Sequence, residues 1–202
     1  IRVTMPGGEE QIFLTLRGGG YDSLADSGFV LENEADGSYR MTHEDGAAFI
    51  FSNDGKSGKL QTVYNPDGTQ VAQLTYNGDE LIEIDGIAGS YTLSWSNGHI
   101  SSVTDNAGRT VSYEHDNDLL TGVTNADGDT LHYTYDGNGY LNSATDFEGE
   151  VYIENEYDGI GRVVKQTFIN ADIPTVSNVS YDDEARVTTC VDANGLETRD
   201  RK

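Results

Sequence analysis

Positive charge is scarce in this sequence. Lys and Arg number 12 against 35 Asp and Glu, for a net charge of −23 over 202 residues. Nucleic-acid binding through phosphates needs a basic stripe, and the chain has none. An anionic membrane surface is disfavoured for the same reason. So much acid reads as a solvated, self-repelling surface, or as one suited to calcium-rich or saline surroundings. Cysteine is limited to Cys190, so no disulfide forms within the chain. Cys190 sits in the alternating run Val187-Thr188-Thr189-Cys190-Val191 and reads as a small core residue. Its only nearby cation in sequence is Arg186, a poor setting for a reactive thiolate. No apolar run approaches the ~18 residues a membrane helix needs, and no secretory signal opens the chain at Ile1. The first residue is not Met and the chain stops in mid-pattern at Arg199-Asp200-Arg201-Lys202. It therefore reads as a piece of a longer protein, and the missing signal says nothing about secretion.

Glycine and tyrosine are plentiful: 24 Gly and 12 Tyr beside 3 Pro. Short apolar runs alternate with Gly-Asp-Asn clusters, which is the all-β pattern. At 36% hydrophobic residues, a sheet with one buried face fits better than a thick sandwich.

The most regular stretch runs from Thr110 to Glu150. A Tyr-bearing strand, a polar turn, a second strand and an Asp/Gly turn follow one another, and then the unit restarts. A repeat at this period decides the fold. One series of turn glycines is Gly68, Gly89, Gly108, Gly128 and Gly149. A second is Gly78, Gly98, then Asp118 in the slot, Gly139 and Gly161. The interleaved spacing equals one strand plus one short turn, so each unit is a β-hairpin and successive units make a meander. Residues 1–60 form a degenerate lead-in of β-hairpins with Ala35-Asp36-Gly37 and Glu44-Asp45-Gly46 at the turns. Residues 61–202 carry the repeats, interrupted near 169–175, where Pro174 ends any ladder. The whole reads as one continuous structural unit.

Alternation places Tyr91, Leu93 and Trp95 on one face; Val111, Tyr113 and His115 follow suit, as do Leu131, Tyr133 and Tyr135. The second strands are less clean. Ile100 and Val103, and Leu120 and Val123, are three apart, which predicts a bulge or an early turn. The unit from Val71 is out of phase, with Leu74 and Tyr76 one register off the Leu93/Trp95 pattern.

No catalytic, cofactor-binding or His-based metal constellation stands out. His99 lies beside a turn, and His115 and His132 fall on opposite strand faces. No nucleophile sits on a strand-to-helix elbow. Gly18-Gly19-Gly20 lacks the lysine and helix of a phosphate loop. Paired carboxylates are too numerous to single out one acid/base pair. Calcium candidates are Asp127, Asp129, Asp136 and Asn138, oxygen ligands on tight turns that match no twelve-residue loop. Trp95, Tyr113, Tyr133 and Tyr135 would form a platform if the scaffold bound carbohydrate; at strand spacing they read first as packing.

The strings Tyr133-Thr134-Tyr135-Asp136-Gly137-Asn138-Gly139-Tyr140-Leu141 and Tyr157-Asp158-Gly159-Ile160-Gly161-Arg162-Val163 resemble the YD repeat of the Rhs family. Tyr181-Asp182 through Arg186-Val187 is similar. Asp105-Asn106-Ala107-Gly108-Arg109 and Asp192-Ala193-Asn194-Gly195 resemble the second half of that motif. The family's Arg position is held by Lys59, His99 or Tyr140 elsewhere, and Ala185 stands where a turn glycine is expected.

The resemblance implies a curved or spiralling antiparallel sheet, part of a YD-repeat shell of the kind found in bacterial Rhs and wall-associated toxins, toxin-complex subunits and teneurins. It implies a non-enzymatic wall segment of a secreted or cell-surface protein. The implied partners are further repeats of the same longer chain and an enclosed C-terminal toxin or effector. Neither an aspartyl-protease segment nor a toxin domain is visible. The alternative is an adhesion or carbohydrate-binding module on the same scaffold, meeting glycans or a cell-surface protein.

Overall fold

The computed structural model describes residues 1–4, 8–24, 27–53, 55, 58–169 and 175–201. Among these there is no helix, and therefore none long and apolar enough to cross a membrane. The all-β expectation holds. The chain forms two compact units, Ile1–Leu93 with Thr104–Gly108, and Ser94–Val103 with Arg109–Lys202.

The first unit opens with a small sheet of β1 (Arg2–Thr4), β2 (Glu10–Thr15) and β3 (Tyr21–Ser23). A meander follows: β4 (Phe29–Asn33), β5 (Tyr39–His43), β6 (Ala48–Phe51), β7 (Leu60–Tyr64), β8 (Gln70–Asn77), β9 (Glu80–Gly86) and, up to Leu93, β10 (Gly89–Ser96). Each strand pairs antiparallel with the next. This unit holds the one cluster of deeply buried apolar side chains among the described residues. Val3 and Phe13 from the small sheet meet Leu31 and Met41, flanked by Tyr21, Phe29, Tyr39, Phe49 and Phe51. Phe13, Leu31 and Met41 are within 2% of full burial. Alternation explains the selection: Leu31 and Met41 face each other across β4 and β5, with Val30 and Thr42 on the outer side.

The second unit contains most of β11 (His99–Asp105), then β12 (Thr110–Asp116), β13 (Leu119–Thr124), β14 (Thr130–Tyr135), β15 (Leu141–Thr145), β16 (Val151–Tyr157), β17 (Val163–Phe168), β18 (Thr175–Asp182), β19 (Val187–Val191) and β20 (Glu197–Arg201). From β12 onward each strand pairs antiparallel with its successor. Here Ala144 and Asn155 are buried while most strand residues are half-exposed. Cross-strand pairs and hydrogen bonds must carry more of the stability here than a packed interior does. Free Cys190 is half-buried on β19. Of the expected interruption near 169–175, residues 170–174 lie outside the described residues.

The expected bulge in the second strand is present. Glu114 pairs with Gly122 and His115 with Leu120, leaving Thr121 as the extra residue. The phase break at Val71 has the same cause. Val63 pairs with Ala72 and Tyr64 with Gln70, so Val71 is the bulged residue, and the alternation restarts one register over. Of the three residues expected on one face of β10, Leu93 is buried and Trp95 half-buried, but Tyr91 is 45% exposed. In the turn where Asp118 fills the glycine slot, the left-handed residue is Asn117, with φ of 54°. Asparagine tolerates that region because its short amide side chain bonds locally.

Candidate functional site: the clasp between successive hairpins

The Tyr-Asp strings build two linked devices. The first is the turn. In Asp136–Tyr140 the Asp136 amide donates to the Tyr140 carbonyl at 2.8 Å, and the Gly139 amide to the Asp136 carbonyl at 3.0 Å. Asp158–Arg162 repeats this at 2.9 and 3.1 Å, and Asp146–Glu150 and Asp192–Leu196 follow. This is a three-residue loop closed by a left-handed glycine; Gly139 and Gly161 have φ of 81° and 84°. The aspartate staples it from inside. Asp136 Oδ1 accepts the Asn138 and Tyr140 amides at 2.9 Å each. Asp158 Oδ1 accepts those of Ile160 and Arg162 at 3.0 and 2.9 Å. These bonds favour the charged form. The Tyr140 amide holds the Asp136 carboxyl below its ordinary range, and the Arg162 amide and guanidinium do the same for Asp158. Lead-in turns move the staple two places. Asp36, Asp45 and Asp67 sit just before the glycine and cap the amides of Ser38, Ala47 and Thr69.

The second device joins one hairpin to the next. Opposite the aromatic residue that ends a first strand, the return strand bulges. Phe51 pairs with Leu60 past the extra Gln61. Tyr135 pairs with Leu141 past Asn142, and Tyr157 with Val163 past Val164. The residue just before the extra one then accepts a hydroxyl from the following hairpin. Tyr76 Oη donates to the Leu60 carbonyl at 2.9 Å, Tyr135 to Leu120 at 2.7 Å, Tyr157 to Leu141 at 2.8 Å and Tyr181 to Val163 at 2.9 Å. A bulge disrupts the ladder locally, and at that point the next tyrosine supplies a donor.

The residue preceding each acceptor completes the clasp. Arg162 lies 4.2 Å over the Tyr181 ring and binds Asp158 and Asp183, both at 2.7 Å. Those two carboxylates, Asp158 first, raise its pKa. Lys59 stands 5.5 Å over the Tyr76 ring, pairs with Asp79 at 2.6 Å and donates to the Gly78 carbonyl. Burial of the Tyr76 phenol raises its pKa, against the opposing pull of Lys59. Tyr140 packs on Tyr157 at 5.1 Å and covers Gly161. Leu119 touches the site of Gly139. His99 stacks on His115 at 4.6 Å and 16°, with Nε2 3.1 Å from Asp118 Oδ1. Cation over ring, ring on ring and aliphatic on glycine thus fill one position. Each filler touches the turn about twenty residues ahead.

The remaining sequence-selected residues are placed as follows. In the third motif Tyr181 keeps its clasp, but Asp182 caps the Ala185 amide at 2.8 Å and pairs with Val187 across a four-residue loop. The left-handed residue there is Arg186, φ 55°, rather than Ala185. The calcium candidates are engaged with one another and with backbone: Asn125 Oδ1 accepts the Asp127 and Asp129 amides, and Asn138 Nδ2 lies 3.5 Å from Asp136 Oδ2. Among the described residues no three His, Cys, Asp or Glu gather around a cation position. Tyr133 and Tyr135 share one half-buried face of β14, and the Tyr135 hydroxyl is committed to Leu120. Burial raises the Tyr133 pKa, with Tyr152 adding to it. Tyr113 is half-buried two strands away on β12, and Trp95 is half-buried on β10.

Sequence reasoning missed the acceptors Leu60, Leu120, Leu141 and Val163, and the turn acids Asp79, Asp118 and Asp183. A signal existed. Lys59, His99, Tyr140 and Arg162 each precede an aromatic residue by 16–19 positions, too constant an offset for unrelated departures from one motif.

Residues 115–151 match the RHS repeat family model. No curated protein matches the chain. A TcdB2-TccC3-TEV crystal structure aligns with 92% of this chain at 14% identity and a TM-score of 0.34. A Tc holotoxin pore from Photorhabdus luminescens aligns with 95% at 17% identity and a TM-score of 0.43. This chain spans 13% of each of those chains. Both scores lie below 0.5, so the assignment rests on the hairpins themselves and on the matched segment. The Tyr-Asp-x-x-Gly turns and their repetition hairpin by hairpin agree with that match: residues 115–151 carry an RHS repeat, and the hairpins on either side are similar to it.

Proposed function

We propose that this chain is a wall segment of a YD-repeat shell, without catalysis of its own, in a secreted or surface-delivered toxin-like protein. The observation that carries this reading is the clasp. The motif residues are spent on turns and on joining hairpin to hairpin: Asp136 and Asp158 on turn amides, Tyr135, Tyr157 and Tyr181 on neighbouring carbonyls. A unit that commits its signature side chains to its neighbour is built to extend. Its partners are then further repeats of the same protein and an effector segment enclosed by them.

Limited proteolysis of the full-length protein tests enclosure. The segment that follows the repeats should survive protease while the shell is folded and be digested once the shell is opened by denaturant. Equal digestion before and after opening would overturn the reading. Alone, without neighbouring repeats, the 202-residue chain should be unstable or self-associate; a monodisperse monomer with one sharp melting transition would count against that.

A further inference from the structure

The chain contains four Asn-Gly pairs: Asn77-Gly78, Asn97-Gly98, Asn138-Gly139 and Asn194-Gly195. Such pairs suit tight turns, because both residues tolerate positive φ. They also carry a chemical liability. The backbone nitrogen of the glycine, once deprotonated, can attack Cγ of the preceding asparagine. The C–N bond to the amide nitrogen breaks, ammonia leaves and a five-membered succinimide forms. Water then opens either ring carbonyl, giving aspartate or isoaspartate. No oxidant, metal or enzyme is needed. The attack does need a glycine N–H that is not held by an acceptor and an asparagine side chain free to turn toward it.

The two turn designs treat these requirements differently. Gly139 donates its N–H to the Asp136 carbonyl at 3.0 Å, and Gly195 donates to Asp192 at 3.0 Å. The asparagine before each is held as well. The Asn138 and Asn194 amides bond Asp136 and Asp192 carboxylates at 2.9 and 2.8 Å, and Asn138 Nδ2 reaches Asp136 Oδ2 at 3.5 Å. At Asn77-Gly78 only the backbone is restrained: Asn77 lies inside the β8 ladder, paired with Glu80, and the carbonyl of Gly78 is gripped by Lys59, while the Asn77 side chain and the Gly78 N–H have no hydrogen-bond partner among the described residues. The Asn97-Gly98 turn has none of these restraints. Both residues are exposed, with φ of 52° and 83°. Neither the Asn97 side chain nor the Gly98 N–H has a hydrogen-bond partner among the described residues.

We propose that Asn97 is the chain's deamidation site, while the aspartate-stapled turns shield Asn138 and Asn194. The modification lands beside a clasp. Asn97-Gly98 delivers His99 to the His115 ring and to Asp118. An aspartate there adds a carboxylate two residues from His99. An isoaspartate adds a backbone carbon to a two-residue loop and shifts His99 out of register.

Peptide mapping by mass spectrometry after ageing at mildly alkaline pH tests this, reading the exchange of amide nitrogen for oxygen at each site. In the folded chain Asn97 should convert first, at least several-fold faster than Asn138 and Asn194. In denaturant the four sites should converge, which assigns the difference to the fold. In Asp136→Ala, which unstaples its turn, Asn138 should accelerate while Asn97 does not. Conversion of Asn77, Asn138 or Asn194 as fast as Asn97 in the folded chain would overturn the proposal. So would a rank order that persists in denaturant.

Discussion

The hydroxyl of Tyr157 donates to the carbonyl of Leu141 at 2.8 Å. Leu141 is also the residue paired with Tyr135 across a bulge, and Tyr157 in turn pairs with Val163, which accepts Tyr181. One tyrosine thus closes its own hairpin with its backbone and joins the previous one with its side chain. Tyr157→Phe keeps the ring and removes only that donor, leaving the part-buried Leu141 carbonyl with the longer bond from Asn155 Nδ2 at 3.2 Å. It should cost about 1 kcal/mol, read as a lower urea midpoint with unchanged slope. Tyr157→Ala, which also loses the packing on Tyr140, should cost clearly more. A Tyr157→Phe protein as stable as wild type would mean that the hydroxyl does nothing, and equal costs for the two variants that the ring contact adds nothing.

Asp136 gives a pH dependence with a definite sign. Its carboxylate accepts two turn amides, the Tyr140 amide foremost, and its folded pKa lies below the ordinary value. The stabilisation is therefore complete above the unfolded carboxyl range and fades as pH falls through the lower folded value. Asn125 fills the same turn position with a neutral amide oxygen and caps the same two amides. Asp136→Asn should therefore fold normally, be less stable than wild type at neutral pH, and draw level with it in acid. Stability curves of the two that stay parallel down to acid pH would contradict the staple.

Gly149 and Gly161 separate strain from crowding. Both have φ near 85°. A methyl at Gly149 meets nothing within 4 Å, whereas one at Gly161 meets the Tyr140 ring, with Cε1 at 2.9 Å. Gly149→Ala should cost about 1 kcal/mol for the left-handed backbone alone. Gly161→Ala should cost more, and pairing it with Tyr140→Ala should recover the excess. Thermal melts of the four proteins close this cycle.

Met41 is fully buried among Val3, Phe13 and Leu31. Met41→Ala should cost about 2–5 kcal/mol. Hydrogen exchange should then rise in β4–β6 more than in β14–β17, because the second unit has no comparable apolar cluster among its described residues. Uniform acceleration would show that the two regions unfold as one.

Much of this fold was legible because strand chemistry is local. Asp-Gly and Asn-Gly turns need positive φ, and alternation selects the faces, so hairpin, meander and the bulge at Thr121 follow from neighbours in sequence. The clasp was not legible because it is a backbone event. Nothing about the side chains of Leu60, Leu141 or Val163 marks their carbonyls as acceptors; the bulge does that, and it involves two strands at once. Arg186 taking the left-handed position beside Ala185 is similar: loop length, set by Asp182 pairing with Val187, decided it.

Arg162 brings these threads together, since it touches its own turn, the next ring and the next turn. Its Nε binds Asp158, its Nη1 binds Asp183, and its plane covers Tyr181. Lysine cannot reproduce this, because one ammonium lacks the planar fork that serves two carboxylates while stacking on a ring. Arg162→Lys should therefore lose most of what Arg162→Met loses, although it keeps the charge. The ion pairs are solvent-facing and weaken with salt, while ring contact and hydroxyl bond do not. Wild type and Arg162→Met should thus approach each other in urea midpoint as salt rises without meeting. Full convergence in high salt would reduce Arg162 to a surface charge, and an Arg162→Lys protein as stable as wild type would remove the guanidinium plane from the clasp.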